Sequence, residues 1–189
     1  MRYVPAGSER PPASTEQVLH PGRRRELFLA FDLRGVREEL PAGCAFVYEN
    51  TVGELLLSVL FGDLGDRVPA TAWEGWDGDR YLAAECDGKL ELLWVSAWDS
   101  PEDAAEFESA YSGIGAAVAA RAGFAAPPRP TRAGREVVVS TRGLAGLVPR
   151  LAALVLRHRV GEVEALRSQF IERGAPEPPA ARNPSTDPP

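Results

Sequence analysis

Two spacings of apolar residues organise the chain, the helical and the alternating one. Val52, Leu55, Leu56, Val59 and Leu60 recur at helical spacing and predict an amphipathic helix from 51 to about 62. Thr51 and Glu54 stand at the capping-box separation, in which the hydroxyl accepts from the third N–H on and the Glu side chain reaches back. Asn50 offers a second cap, and Gly62 and Gly65 end the helix. A clearer helix start is Trp98-Asp99-Ser100-Pro101-Glu102-Asp103: Ser100 caps, Pro101 brings a pre-set φ, and the acids favour the positive helix end. Ala104, Phe107, Tyr111, Ile114 and Val118 then place one stripe against a core.

Strands fill the remaining pattern. Cys44 to Tyr48 follows the breaker Pro41-Ala42-Gly43. Tyr81 to Cys86 and Leu90 to Trp98 flank Asp87-Gly88, which fits a tight hairpin. The second of these is apolar on both faces, which predicts a central position. Glu136 to Ser140 is a further strand, and Leu147 to about Glu172 reads as a terminal helix with Gly161 as a bend. Leu27 to Leu33 fits either a strand or a helical turn. Gly75 to Arg80 reads as a turn, Pro69 to Glu74 as a short helical turn, and 125 to 130 as a Pro-rich loop. The expected fold class is α+β: an antiparallel sheet backed by helices, in βαββαβ ferredoxin-like order with an extra C-terminal helix. An irregular antiparallel sheet backed by helices is the alternative. The expected organisation is an extended Pro/Arg-rich arm over 1–23, a single α+β domain over 24–173, and a disordered tail over 174–189.

Composition narrows the function classes. The 189 residues carry a net charge of −6, against the basic surplus of a nucleic-acid binder. No apolar run is long enough for a membrane span, and the first residues lack a secretory h-region, so the chain as written reads as soluble and cytoplasmic. Charge is split along the chain. Asp77 to Glu108 holds ten acids against Arg80 and Lys89, and Arg129 to Arg159 holds seven arginines against Glu136. That split admits an intramolecular contact, a dimer contact, or two solvated surfaces. Cys44 and Cys86 each fall in a strand; two buried small hydrophobes are the default, and a bond between them depends on proximity that sequence does not show.

Candidate chemistry is sparse. The two histidines, His20 and His158, lie in no H-E-x-x-H arrangement. His158, between Arg157 and Arg159, reads as part of a solvated helix face. No G-x-S-x-G occurs, and Cys86 has no local base. The pairs Asp77/Asp79 and Asp99/Glu102 are explained by a turn and by helix capping; a calcium loop would need further oxygen ligands. Trp73, Trp76, Trp94 and Trp98 cluster around the hairpin, where core packing accounts for them. If the chain has a ligand or partner surface, its candidates are Trp76, Asp77, Asp79, Trp94 and Trp98, for a small ligand, a homodimer or a protein partner. No catalytic residue, metal site or cofactor is assigned.

Four ordered blocks carry a resemblance. They are Pro11 to Pro21, Glu49-Asn-Thr-Val-Gly-Glu-Leu55, Gly75-Trp-Asp-Gly-Asp-Arg-Tyr81, and Trp98-Asp-Ser-x-x-Asp-Ala-x-Glu-Phe107. They look like blocks of bacterial and haloarchaeal proteins that resemble peptidase-MA-like, gluzincin-type zinc metallopeptidases, often exported or lipid-anchored. The matching motif positions are Ser14, Glu16, His20, Glu54, Trp76, Asp79, Trp98, Asp99 and Phe107. In those proteins the blocks follow the metal-binding helix domain. This chain has no H-E-x-x-H and no downstream Glu ligand, so no catalytic residue carries over. The resemblance implies a domain type, the C-terminal non-metal half, acting as an accessory or interaction module. It also leaves room for a fragment whose zinc domain lies upstream, with the cell envelope as its compartment.

Overall fold

A computed structural model describes residues 19–20, 27–65 and 68–160. Seven strands and four α-helices form among them. In chain order they are β1 (Phe28–Asp32), α1 (Arg34–Glu38), β2 (Cys44–Asn50), α2 (Gly53–Leu64), β3 (Trp76–Cys86), β4 (Lys89–Trp98), α3 (Pro101–Ala122), β5 (Arg129–Ala133), β6 (Glu136–Ser140), α4 (Leu151–Leu154) and β7 (Leu156–Val160). The main sheet runs β2-β3-β4-β6-β5, a second sheet pairs β1 with β7, and every pairing is antiparallel. No helix among the described residues is long and apolar enough to cross a membrane.

The mixed α/β class and the antiparallel sheet are as expected, but the strand arrangement is not ferredoxin-like. In that split βαβ arrangement the two strands joined by a helix run parallel and are separated by another strand. Here α2 leads from β2 into β3, which pairs antiparallel with β2 itself. Arg129–Ala133, whose first two residues fall in the expected loop over 125–130, adds a strand that pairs with β6 across a hairpin.

The C-terminal helix is also corrected within the described residues. Ala145–Arg150 is a 3-10 turn, α4 stops at Leu154, and Val155 is already extended. β7 follows, because β1 offers a free ladder to pair with. Alternation then sends Arg157 to Glu136, with bonds of 2.6 and 2.7 Å, and Arg159 to Asp77 at 2.6 Å. Arg157-His158-Arg159 is therefore a strand with paired arginines, not a solvated helix face. The expected continuation over 161–172, the tail over 174–189, and the arm apart from Leu19 and His20 lie outside the described residues.

β4 occupies the centre of the main sheet, as its two apolar faces require. Leu93, Val95 and Ala97 join Leu82, Ala84, Phe31, Leu33 and Leu147 in an aliphatic layer on one face. Trp94 and Trp98 point the other way and join Trp76, Phe107, Tyr111, Leu57 and Phe61 in an aromatic layer. α3 begins as its sequence directs: the Ser100 hydroxyl accepts from the Asp103 N–H at 3.1 Å, and Ala104, Phe107, Tyr111 and Ile114 are buried.

α2 departs from its expected face. Leu57 and Phe61 are buried, whereas Leu55, Leu56 and Val59 are exposed. The helix is apolar nearly all round, so spacing alone does not select a side. Phe61 decides it by stacking on Trp73 and meeting Phe107 edge-on.

Candidate functional site

Of the residues singled out by sequence, Asp79, Trp76, Trp94, Glu54 and His20 converge on the first turn of α2. Val52 is in the right-handed region and Gly53 follows with φ +75°, a conformation that favours glycine. Two successive residues of this kind aim their N–H groups into one concavity, which binds an anionic oxygen. The anion is the Asp79 carboxylate from β3. Its Oδ2 accepts from Val52 N at 2.9 Å and its Oδ1 from Gly53 N at 3.0 Å. Two indoles complete the set: Trp94 Nε1 donates to Oδ2 at 2.7 Å and Trp76 Nε1 to Oδ1 at 3.1 Å. The Thr51 hydroxyl donates to the Asp79 backbone carbonyl at 3.2 Å.

This replaces the expected capping box. Neither Thr51 nor Glu54 caps α2 through its side chain, because Asp79 already holds the open N–H groups and is better placed to do so. A buried carboxylate with four N–H donors also sits favourably at the positive end of a helix. Burial pushes the Asp79 carboxyl above the usual carboxylate range, and the N–H donors oppose that rise.

Glu54, 1% exposed, lies in the same turn. Its Oε1 meets His20 Nε2 at 2.8 Å, and its Oε2 is buried with no hydrogen-bond partner among the described residues. His158 belongs to β7, across from Ala30, whereas His20 meets the start of α2. Among the described residues no three His, Cys, Asp or Glu side chains form a set able to hold a metal ion.

The segment holding Asp77 and Asp79 is strand with a bulge between Trp76 and Gly78, not the expected turn. The bulge turns Asp77 toward Arg159 while Asp79 meets the indoles. Burial raises the Asp77 carboxyl too, with Arg159 pulling it back. Gly78 is required there, since a Cβ would overlap the Leu29 carbonyl of β1.

The proposed outward surface is therefore an interior. Trp76, Trp94 and Trp98 are buried, as are Asp77 and Asp79. Trp98 donates to Ser96 Oγ at 3.1 Å and stacks on Phe107 with centroids 4.6 Å apart. Asp99 starts the turn into α3, its N–H donating to Gly75 O at 2.7 Å. Ser14 and Glu16 lie outside the described residues. A groove of about 980 Å³ lies elsewhere, between the end of α2 and α3, lined by residues such as Gly62, Leu64, Ala105, Ser109 and Gly113.

Sequence reasoning missed the Val52 and Gly53 amides. The available signal was a glycine inside a helix start whose apparent N-cap, Val52, has no side-chain acceptor. Part of the charge split resolves within the chain, through Asp77–Arg159 and Glu108–Arg132. The undecided cysteines are joined: Cys44 and Cys86 stand opposite each other on β2 and β3 and form a disulfide.

No curated protein and no solved structure matches this chain. A family model does, over residues 44–147, more than half of its length and the stretch that contains the Asp79 constellation. The chain thus belongs to the family of the domain of unknown function DUF8575.

Proposed function

We propose that the chain is a non-catalytic accessory or interaction domain, of the type that resembles the C-terminal, non-metal portion of peptidase-MA-like proteins. One observation carries the reading: the residues that looked most like a site are committed to one another. The block Glu49 to Leu55 supplies the amide concavity, and the block Gly75 to Tyr81 supplies Asp79 and Trp76. Arg80 donates to Glu49 at 2.7 Å, tying the same two blocks a second time. The block Trp98 to Phe107 packs Trp98 and Phe107 together in the same aromatic layer.

A reacting carboxylate needs an open lone pair facing substrate. Asp79 has both oxygens occupied by N–H donors and is 3% exposed. Its chemistry is that of a fixed internal anion, which orders a helix and two indoles. The spacing of these blocks then reflects how the domain folds, and the work of the domain lies in what it contacts.

Asp79→Asn tests this by thermal and denaturant unfolding. The reading expects a clear loss of stability, since an amide NH₂ would face two N–H donors. Groups held for chemistry often tolerate neutralisation, or gain stability from it. An Asp79→Asn protein as stable as the parent would overturn the proposal, as would stoichiometric zinc together with peptide cleavage by the purified chain.

A further inference from the structure

We infer that this chain matures in an oxidising compartment, where Cys44–Cys86 forms by thiol–disulfide exchange and fastens the edge strand β2 to the sheet. This stands on a different observation from the functional reading. The chain has two cysteines, and both are in the bond. They are not brought together by a loop that could swing: they are paired residues of the β2–β3 ladder, next to the Asp87-Gly88 turn. On the β2 side, the Asp87 N–H donates to Gly43 O at 3.1 Å, so the backbone holds the two positions in register.

β2 needs such a fastening. Among the described residues it is paired on one side only, and its ladder to β3 is interrupted between Phe46 and Tyr48. Phe46, Val47 and Tyr48 are exposed, so packing on this strand is weak. A strand with one partner, a bulge and few buried side chains belongs to the low-stability end of a fold. The covalent bond sits at the end of β2 remote from the Asp79 constellation, which anchors the chain just beyond Asn50. Together they pin both ends of an otherwise loosely held edge.

Disulfides persist outside the reducing cytosol. In the exchange, the Cys44 and Cys86 thiols lose two protons and two electrons. The electrons reduce the disulfide of a protein oxidant, which leaves as a dithiol while the Sγ–Sγ bond forms here. The inference departs from the cytoplasmic reading of the chain as written and is compatible with the cell-envelope alternative.

The test begins with the protein in its source cells. Cells are acid-quenched and fractionated, free thiols are alkylated, and the intact chain is weighed. No alkyl adduct on a chain outside the cytosol is expected. Two adducts overturn the inference, and an oxidised chain found in the cytosol overturns the compartment. The purified chain is then followed by hydrogen exchange with and without a phosphine reductant. Amides of β2 are expected to exchange about tenfold faster or more after reduction, with β4 unchanged. Equal exchange of β2 in both states overturns the fastening role. These readings need no cysteine variant, so a Cys44→Ser/Cys86→Ser protein that failed to fold would not obscure them.

Discussion

The two faces of the main sheet are built differently. On one, Leu82, Ala84, Leu93 and Val95 meet Phe31, Leu33, Val36, Leu147 and Leu151 in a layer of apolar side chains. On the other, three tryptophans, two phenylalanines and a tyrosine pack together, and two of the tryptophans hold one carboxylate. Aliphatic packing is non-directional, and its stabilisation is spread over many contacts. The aromatic face instead depends on Asp79, because the Trp76 and Trp94 N–H groups and two backbone amides require an acceptor once they are buried. The difference teaches that a core of similar hydrophobicity can be either tolerant or brittle, depending on whether polar groups must be matched inside it.

That contrast can be broken most severely at Asp79. Asp79→Asn should cost about 4 kcal/mol, since the amide NH₂ leaves two buried N–H donors without an acceptor, at about 2 kcal/mol each. Chemical denaturation measures it, and a loss below that of an ordinary core truncation would remove the contrast. Leu82→Ala on the aliphatic face should cost about 3 kcal/mol, through lost transfer energy and a residual cavity. The cost should add to that of distant aliphatic substitutions, whereas Asp79→Asn and Trp94→Phe should be strongly non-additive in a double-mutant cycle. Trp94→Phe alone should cost about 1.5 kcal/mol, because it removes one donor and keeps an aromatic ring beside Phe107 and Tyr111.

The smallest effect belongs to a charge at the rim. Asp32 is held below the ordinary carboxylate range chiefly by its hydrogen bonds from Arg34, at 2.6 to 3.1 Å. A carboxyl whose folded pKa is lowered stabilises the protein above its unfolded pKa, and the benefit is lost as pH falls through the folded value. Asp32→Asn should therefore narrow the loss of stability below about pH 4, by less than about 1 kcal/mol because Arg34 is solvent-exposed. Unfolding midpoints at pH 3 and pH 7 for both proteins provide the check. A large change there would mean that rim charges matter as much as the interior one.

Much of this is legible in the sequence. The Ser100-Pro101 start of α3, its buried stripe, the Asp87-Gly88 hairpin and the central place of β4 follow from local chemistry, and all appear. Of the candidate residues, Asp79, Trp76 and Trp94 do meet, but inside the protein. Their clustering around the hairpin marks them without saying which way they point. The bulge at Trp76–Gly78 explains the failure: it converts an apparent turn into strand and separates Asp77 from Asp79. The missed β7 has the same origin. Val155 to Val160 satisfies helical and extended patterns alike, and β1, more than a hundred residues earlier, selects the extended one.

By itself the sequence determined the local elements that carry their own start and stop signals, because caps, prolines and turn glycines act within a few residues. Tertiary structure alone decided which face of α2 is buried, that Cys44 meets Cys86, and that Asp79 caps a helix from another strand. Each of those outcomes depends on partners 26 or more residues apart, or on competition between nearly equal apolar faces, where short-range preference is too weak to choose.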